Sequence, residues 1–557
     1  MVWTRLLGLL LGATVYTFSI ILAVFLAGLG IGSGVAAALV RGIARPRIAL
    51  GCCQLLLAGA VAWTAYMLAN SLPYWPINPL LSTRPWFTFQ IDLARSIWAI
   101  LPAALLWGAS FPLALAAVAS RGRDAGRMVG GIYAANTAGA IVGALAFSMI
   151  LIPAIGTQGC ERLLIVLSGL SALYVWPGAA RWTPRAKAGA LFLAAAAAVA
   201  VVLLAMSVPK VPSMLIAYGR RITLSAGNSQ ILYTGEGMNA SIAISRWNDG
   251  AVQFHVSGKV EASTEPYDMR LQRMLGHLPA LLHTKPRSVL VVGFGAGVTA
   301  GSFVLHPEVR RIVICEMERM IPPVATRYFA KENNNVLNDP RVEMVYDDAR
   351  HYVLTTREKF DVITSDPIHP WVKGSATLYS KEYFDLVKQH LNPGGIVTQW
   401  VPLYETDLST VKSELATFFD VFPNGTVWGN DNGGGGYDTV LLGQAEATRI
   451  DVDQLQAKLD RPDEARVAQS MYDVGFNSAI ALLSTYAGQG PDLRSWLADA
   501  AINRDGNLRL QYLAGMALNN SMEGDIYRQM LAYRQYPENL FVVSDRLRPS
   551  LMMALGR

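Results

Sequence analysis

Hydrophobic residues fill the first 206 positions of the chain in long, nearly unbroken runs. Six of these runs approach or exceed the roughly 20 apolar residues that a membrane-crossing helix needs. They are residues 16–40, 48–69, 97–118, 130–152, 163–177 and 188–206. Glycines recur at every second position of the first run, at Gly28, Gly30, Gly32 and Gly34, and such small residues favour close packing of helices in a membrane. The pattern predicts a transmembrane helical domain over residues 1–206.

Basic residues between the runs bear on the orientation of this domain. Arginines and lysines follow the first, third and fifth runs, and the positive-inside rule assigns such loops to the cytoplasm. If the helices cross the membrane in turn, the sixth helix places the rest of the chain on the side opposite the cytoplasm. Chemistry on a cellular cofactor instead favours the cytoplasm. We expect a multi-pass protein of a bacterial-type inner (plasma) membrane, with the lipid bilayer as a partner and the side of the soluble part left open.

From residue 207 onward the pattern becomes that of a globular protein. Alternating apolar and polar residues over 207–265 predict a small antiparallel β region. Strands and helices then alternate through 266–447, which predicts an α/β, Rossmann-like domain with a mainly parallel sheet. Its strands are predicted at 288–292, 311–315, 342–346, 360–364 and 396–400. Residues 448–557 are predicted to form a helical C-terminal segment without a recognisable site.

Composition adds two exclusions. Only 16% of the residues are charged, against about 25% in an average soluble protein, and the deficit lies in the first 206 positions. The net charge of +6 comes with basic residues placed between apolar runs, so we do not expect nucleic-acid binding. The four cysteines have no metal-ligand spacing, and we expect buried thiols and no metal.

A glycine-rich turn carries the strongest chemical signal. Gly293, Gly295 and Gly297 follow a predicted strand and open a helix, where a backbone without side chains can approach a ligand and offer free N–H groups. Glu316 ends the next strand about twenty residues later, the position from which a carboxylate holds ribose hydroxyls. The alternative for Glu316 is a solvent-exposed strand end. The pattern predicts a nucleoside-binding site.

Acidic residues also end the next two predicted strands. Asp348, followed by Ala349, could accept a hydrogen bond from an adenine amino group, or it could cap the following helix. Asp366 could take a proton from an amine or stabilise a sulfonium cation, and its alternative is a turn-forming Asp before proline. His369 is a candidate second base or a structural loop histidine.

Taken together, these residues resemble the spermidine synthase (polyamine aminopropyltransferase) family, in the branch fused to a major-facilitator-like membrane domain. The resemblance covers residues 2–443. It rests on the stretches GKVEAST, LGHLPALLH, SVLVVGFGAGVTAG, DPRVEMVYDDAR, FDVITSDPIHPW and LYSKEYFDLVKQHLNPGGIVTQW, and on the membrane motifs FLAGLGIGS and YAANTAGAIVGALAFSMILIPAIG. It implies a class I methyltransferase-type, spermidine synthase-like domain. Typical members carry a further apolar helix ahead of the Trp-Thr-Arg at residues 3–5, so we expect one helix to be missing here.

Some of the family's site residues are matched in this sequence and others are replaced. Glu316 matches the ribose-binding acid, Asp348 the acid near adenine, and Asp366 the first acid of the catalytic Asp-x-x-Asp loop. His369 stands where the second, amine-binding Asp is expected, and Ala296 stands where soluble members carry an Asp in the glycine-rich turn. An acid at position 296 would repel the carboxylate of intact S-adenosylmethionine, and Ala296 removes that repulsion. The resemblance therefore implies S-adenosylmethionine or its decarboxylated form as the substrate, and a small-molecule amine or none as the acceptor.

The resemblance implies a membrane-anchored aminopropyltransferase-like enzyme that releases methylthioadenosine and that need not make spermidine. Two alternatives stay open. One is a methyltransferase on the same fold, whose product would be S-adenosylhomocysteine. The other is a non-catalytic membrane protein or transporter that senses a nucleoside or a polyamine. A homo-oligomeric state is also left open.

Overall fold

The computed structural model describes residues 1–75, 77–78, 84–119, 125–176, 184–431, 435–446 and 449–556. Its N-terminal part is a bundle of helices. They are α1 (Val2–Leu11), α2 (Val15–Val40), α3 (Pro46–Tyr66), α4 (Pro85–Val118), α5 (Ala125–Ala146), α6 (Ile152–Val175) and α7 (Pro184–Ser207). The short helix α1 is almost entirely buried, and its Arg5 donates a hydrogen bond of 3.1 Å to Ser241 in the following β region.

By length and composition, five helical stretches of the described residues could cross a membrane. Six were predicted, and the difference arises at 130–152 and 163–177, which fall within one stretch, Gly126–Val175. At about 1.5 Å per residue this 50-residue stretch is far longer than the ~30 Å apolar core of a bilayer. Gly156, with φ 69° and ψ 175°, interrupts its helical conformation. The described residues therefore include five candidate stretches, the longest of them broken at a glycine, and the prediction of about six spans stays a prediction.

Helices α2 and α4 pack closely through small residues. Gly28 faces Ala104, and Gly32 lies so near the Leu105 carbonyl that any side chain at 32 would overlap it. A Cβ at Gly30 or at Gly34 would meet no described atom within 4 Å. Two of the four glycines in this run therefore form the contact.

A short helical linker, α8 (Ser213–Tyr218) and α9 (Ile222–Ser225), leads into four antiparallel strands. These are β1 (Ser229–Glu236), β2 (Ser241–Trp247), β3 (Val252–Val256) and β4 (Lys259–Ser263), in the order β1-β2-β3-β4. The register between β3 and β4 pairs Phe254 with Ala262 and His255 with Val260. Glu261 is therefore the extra residue of a β-bulge, a distortion that often re-aims side chains beside active sites.

The rest of the chain alternates helices and strands before ending in short helices. The strands are β5 (Ser288–Val292), β6 (Arg311–Cys315), β7 (Val342–Val345), β8 (Phe360–Ser365), β9 (Leu391–Pro402), β10 (Thr426–Asn430), β11 (Asp438–Gln444), β12 (Ile450–Asp451), β13 (Tyr486–Gln489) and β14 (Phe541–Val542). The helices are α10 (Pro266–Leu282), α11 (Val298–Val304), α12 (Ile321–Phe329), α13 (Ala349–Thr355), α14 (Lys381–Gln389), α15 (Leu408–Val421), α16 (Val452–Leu459), α17 (Ala465–Tyr472), α18 (Ala479–Leu483), α19 (Gly490–Leu493), α20 (Arg509–Ala517), α21 (Glu523–Leu531) and α22 (Arg548–Ala554).

Eight of these strands form one sheet in the order β13-β10-β11-β9-β8-β5-β6-β7. The strands from β9 to β7 are parallel, as predicted, and β11, β10 and β13 are antiparallel. The chain order turns around at β5, which lies between β6 and β8. In open α/β sheets, ligands bind outside the carboxyl ends of the strands at such a turning point.

The C-terminal segment contains a strand that its sequence does not predict. β13 pairs with β10 and extends the main sheet, whereas residues 448–557 were predicted to be helical. β13 is four residues long and includes Gly488, so it has no alternating pattern of its own. Its conformation is set by the edge of β10, a contact between distant parts of the chain.

Candidate active site

The glycine-rich turn leaves the carboxyl end of β5, at the turning point of the sheet. Gly293, Gly295 and Gly297 have φ values of 85°, 55° and 80°, in the left-handed region that favours glycine. Among the described atoms, none lies within 4 Å of a Cβ built on Gly295, so glycine is favoured there by its backbone conformation and not by lack of space. The predicted strand, turn and helix are all present, and nucleoside binding by this turn stays a prediction.

Glu316 follows β6 and closes onto the turn. Its carboxylate accepts hydrogen bonds from the backbone N–H of Phe294 at 2.9 Å and of Glu318 at 2.8 Å. The side chain is 8% exposed, and burial raises its pKa against the opposing effect of these hydrogen bonds. The acid is therefore not a solvent-exposed strand end. A carboxylate has about four lone-pair sites, so two remain for ligand hydroxyls.

Asp348 lies at the end of the neighbouring strand β7, next to Ala349. Its side chain accepts a hydrogen bond of 2.9 Å from the His351 N–H and so caps α13. The adjacent Asp347 instead contacts the His351 imidazole at 2.6 Å. The capping alternative for Asp348 is thus present in the structure, and a contact to adenine would have to use the remaining lone pairs of the same carboxylate.

Asp366 follows β8 and lies beside the glycine-rich turn. Its carbonyl oxygen is 3.7 Å from the position that a Cβ on Gly293 would occupy. Burial raises the pKa of Asp366 to about 7, and the negative charges of Glu261 and Asp268 add to this effect. A carboxyl group with such a pKa can exchange a proton near neutral pH. The structure therefore brings together the turn, Glu316 and Asp366.

His369 lies deeper in the same loop and is 1% exposed. The Lys259 ammonium lies 2.9 Å from its Nε2, and its ring packs against Trp400 and Tyr404 at centroid distances of 4.8 and 5.1 Å. Burial, reinforced by the positive charges of Lys259 and Arg221, holds the pKa of His369 well below its ordinary value. The imidazole is therefore neutral. A role as second base stays a prediction.

A cavity of about 320 Å³ lies between the small β region, the main sheet and α1, and two of its lining acids, Glu261 and Asp268, act on the pKa of Asp366. Charged side chains of both signs line it. They are Glu261, Asp268, Glu405 and Glu523, together with Lys259, Arg220 and Arg221. Burial raises the pKa of Glu261 to about 7 and that of Asp268 to about 6. Tyr404 and Tyr437 stack along the wall, with ring centroids 4.5 Å apart.

Sequence reasoning missed most of these charged residues. Lys259 and Glu261 belong to the stretch GKVEAST, which served only as a mark of resemblance. The available signal was a charged pair on a strand of an otherwise half-buried sheet. Their convergence with His369 and Glu405, more than a hundred positions away, depends on the fold. Among the described residues, no group of three or more His, Cys, Asp or Glu is placed to hold a metal ion.

Comparison with known proteins points to one family. Residues 268–427 match the model of the spermine/spermidine synthase domain. The chain is similar to a polyamine aminopropyltransferase of Aeropyrum pernix, with 34% identity over 176 residues, which are 31% of this chain and 56% of the relative. It is also similar to a polyamine aminopropyltransferase of Thermotoga neapolitana, with 27% identity over 37% of this chain and 69% of the relative. The chain thus spans about half the length of the first of these relatives.

Among solved structures, the chain is similar to the spermidine synthase of Thermotoga maritima. The identity is 22%, the TM-score is 0.36, and the match covers 44% of this chain and 88% of the other. The matched family model leaves residues 1–267, which include the N-terminal helices and β1–β4, and residues 428–557 outside.

Proposed function

Because residues 268–427 match the model of the spermine/spermidine synthase domain, we propose that this chain is a transferase of aminopropyl-type groups. Its substrate is S-adenosylmethionine or decarboxylated S-adenosylmethionine, and its nucleoside product is methylthioadenosine. The observation that carries the proposal is the convergence of the Gly293–Gly297 turn, Glu316 and Asp366 at one edge of the sheet. Glu261 and Asp268, whose charges act on Asp366, line a cavity in which these acids would hold an amine.

The reaction follows from the charges at this edge. The lone pair of the acceptor nitrogen attacks the chain carbon bonded to the sulfonium sulfur, and the carbon–sulfur bond breaks. The bonding pair stays on sulfur, which becomes the neutral thioether of methylthioadenosine. The new ammonium loses a proton to Asp366, whose pKa of about 7 suits a general base near neutral pH. Before the transfer, the same carboxylate stabilises the sulfonium charge.

Glu316 is proposed to hold the ribose. Its two oxygens already accept backbone N–H groups from both sides, so the carboxylate is fixed before a ligand arrives. Such preorganisation lowers the entropic cost of binding. Asp348 is proposed to lie near the adenine, where its capping bond to α13 would likewise fix its orientation.

The choice between the two forms of the substrate turns on Ala296. This residue is 1% exposed, and its carbonyl accepts a hydrogen bond of 3.0 Å from the Asn333 amide. With a methyl group instead of an acid, the turn offers no counter-charge for the free ammonium of the decarboxylated form. It also presents no repulsion to the carboxylate of the intact form, so both are included in the proposal.

Product analysis tests the proposal directly. The purified full-length chain is incubated with each form of the substrate, with and without putrescine, and products are identified by mass spectrometry. Methylthioadenosine supports the proposal, and it should be absent with Asp366→Asn. S-adenosylhomocysteine would instead show a methyltransferase. Absence of any product, together with nucleoside binding that Glu316→Ala abolishes, would favour a sensor or transporter.

The proposal includes a membrane anchor. Five stretches of the described residues are long and apolar enough to cross a bilayer, which supports a multi-pass protein of a bacterial-type inner membrane. Cell fractionation tests this part: the chain should remain with the membrane after a carbonate wash, and release into the soluble fraction would contradict it.

A further inference from the structure

The cavity lined by Glu261 and Asp268 carries charges of both signs. At the end nearest Asp366 lie Glu261 and Asp268, whose charges act on Asp366. Asp268 is held in place by a hydrogen bond from Ser263, and Glu261 by the bulge in β4. This acidic end is suited to an amine that is about to be alkylated.

The opposite end of the cavity is basic. Arg220 and Arg221 come from the turn between α8 and α9, beside α1. Nη1 of Arg220 donates to the Leu11 carbonyl at 3.3 Å, whereas its Nε is buried without a hydrogen-bond partner among the described residues. Arg221 forms an ion pair of 2.5 Å with Glu405.

Lys259 lies between the two ends and is held from several sides. Its Nζ is 3.6 Å from Glu405 and 4.0 Å from Glu261, and it lies over the rings of Trp371 and Tyr404 at 5.6 and 5.4 Å. Lys259 and Arg221 both pair with the carboxylate of Glu405, and Lys259 also faces Glu261.

Glu405 itself has a left-handed backbone conformation, with φ 52°. A residue other than glycine is held in this region only at a cost, and such residues cluster at functional sites. The strained conformation directs the carboxylate between Lys259 and Arg221. Glu405 thus joins Lys259 and Arg221 in one ion-pair network at this end of the cavity.

We propose that this cavity takes a zwitterionic acceptor, a small carboxylic acid with an amine at the far end of its chain. The amine lies toward Glu261 and Asp268, where it can attack the sulfonium compound, and the carboxylate lies toward Lys259 and the two arginines. A diamine of the same length lacks this carboxylate, so it would leave its second ammonium among these cations without a counter-charge, which is unfavourable at close range. This inference rests on the proposed function and names its acceptor class.

Ornithine and putrescine form a matched pair of probes, because they differ only by the carboxylate. Binding of each to the full-length chain in detergent is measured by isothermal titration calorimetry, which does not require turnover. Ornithine should bind about tenfold more tightly or better, an effect that one well-placed charge can supply. Lys259→Met should reduce this ratio about tenfold, and Lys259→Arg should preserve it.

Lys412→Met is the control, because Lys412 also pairs with an acid, Asp499, and lies over a tryptophan, but outside the cavity. It should leave the ratio unchanged. Putrescine binding as tight as ornithine, no ornithine binding at millimolar concentration, or an unchanged ratio in Lys259→Met would each overturn the inference. Methylthioadenosine release is scored separately, so a chain that makes it but prefers putrescine would refute only this inference.

Discussion

The carboxylate of Glu316 accepts a 2.9 Å hydrogen bond from the backbone N–H of Phe294. This bond joins the end of β6 to the glycine-rich turn after β5, and both elements lie at the turning point of the sheet. One acid therefore has two functions: it holds the conformation of the turn and offers its remaining lone pairs to a ligand.

We predict that Glu316→Ala weakens methylthioadenosine binding about 10- to 100-fold, because a hydrogen bond to a charged group contributes ~1.5–3 kcal/mol. Glu316→Gln should have a smaller effect, since its amide oxygen still accepts one bond. Isothermal titration calorimetry measures both. The control is Glu343→Gln, an acid of β7 that pairs with Arg311 on the surface. Equal affinities of wild type and Glu316→Ala would contradict ribose binding by this acid.

For Asp366 we predict a rate that rises with pH through about 7, where burial and the charges of Glu261 and Asp268 place its pKa. Only the deprotonated carboxylate can take the proton of the acceptor, so the rate should be low in acid and level off above this pH. Asp366→Asn should lower kcat about 100-fold or more. It should also remove the rise of the rate with pH. Methylthioadenosine formation is followed by chromatography, with the surface variant Asp385→Asn as control. A pH profile shared by wild type and Asp366→Asn would exclude Asp366 as the base.

The same residue should affect folding stability in the opposite direction. The folded state raises the Asp366 pKa from 3.8 to about 7, so between these pH values the folded chain binds more protons than the unfolded chain. Stability therefore falls as pH rises through this window. Asp366→Asn removes this effect. The melting temperature of the variant minus that of wild type should therefore be larger at pH 8 than at pH 4. Thermal unfolding in detergent, followed by tryptophan fluorescence, measures the difference, and an identical pH trend in both proteins would refute it.

Gly301 in α11 supports the turn from behind. A Cβ at this position would overlap the backbone carbonyl of Asn333, whose side-chain amide in turn bonds the Ala296 carbonyl. We predict that Gly301→Ala destabilises the chain by about 1–3 kcal/mol and weakens nucleoside binding. Gly506→Ala is the matched control, because no described atom lies within 4 Å of its Cβ. Equal melting temperatures of the two variants would show that α11 can shift freely.

The parts of this fold that could be predicted from sequence are those with a local signal. The buried strands β5 and β6 are continuous apolar runs between polar ends, and once both are placed, Glu316 must lie at their shared edge. Asp366 follows from β8 by the same reasoning. The glycines at 293, 295 and 297 mark a turn because the left-handed backbone angles that they adopt favour glycine.

The parts that could not be predicted depend on contacts between distant positions. The cavity exists because β4 brings Lys259 to His369, 110 positions later, and a β-bulge at Glu261 cannot be seen in an alternating pattern. β13 takes its conformation from the edge of β10. An aspartate at position 348 is suited both to capping α13 and to binding adenine. The sequence alone therefore could not distinguish these two roles.

The contact between α2 and α4 gives a test within the membrane part. Gly32 faces the Leu105 backbone with no room for a side chain, whereas Gly34, two residues later, faces open space among the described residues. Helices in a membrane rely on such close contacts, because no hydrophobic effect drives them together. We therefore predict that Gly32→Leu lowers the melting temperature in detergent by several degrees and that Gly34→Leu does not. Both variants carry the same side chain on the same helix, so equal melting temperatures would show that α2 does not pack on α4 through Gly32.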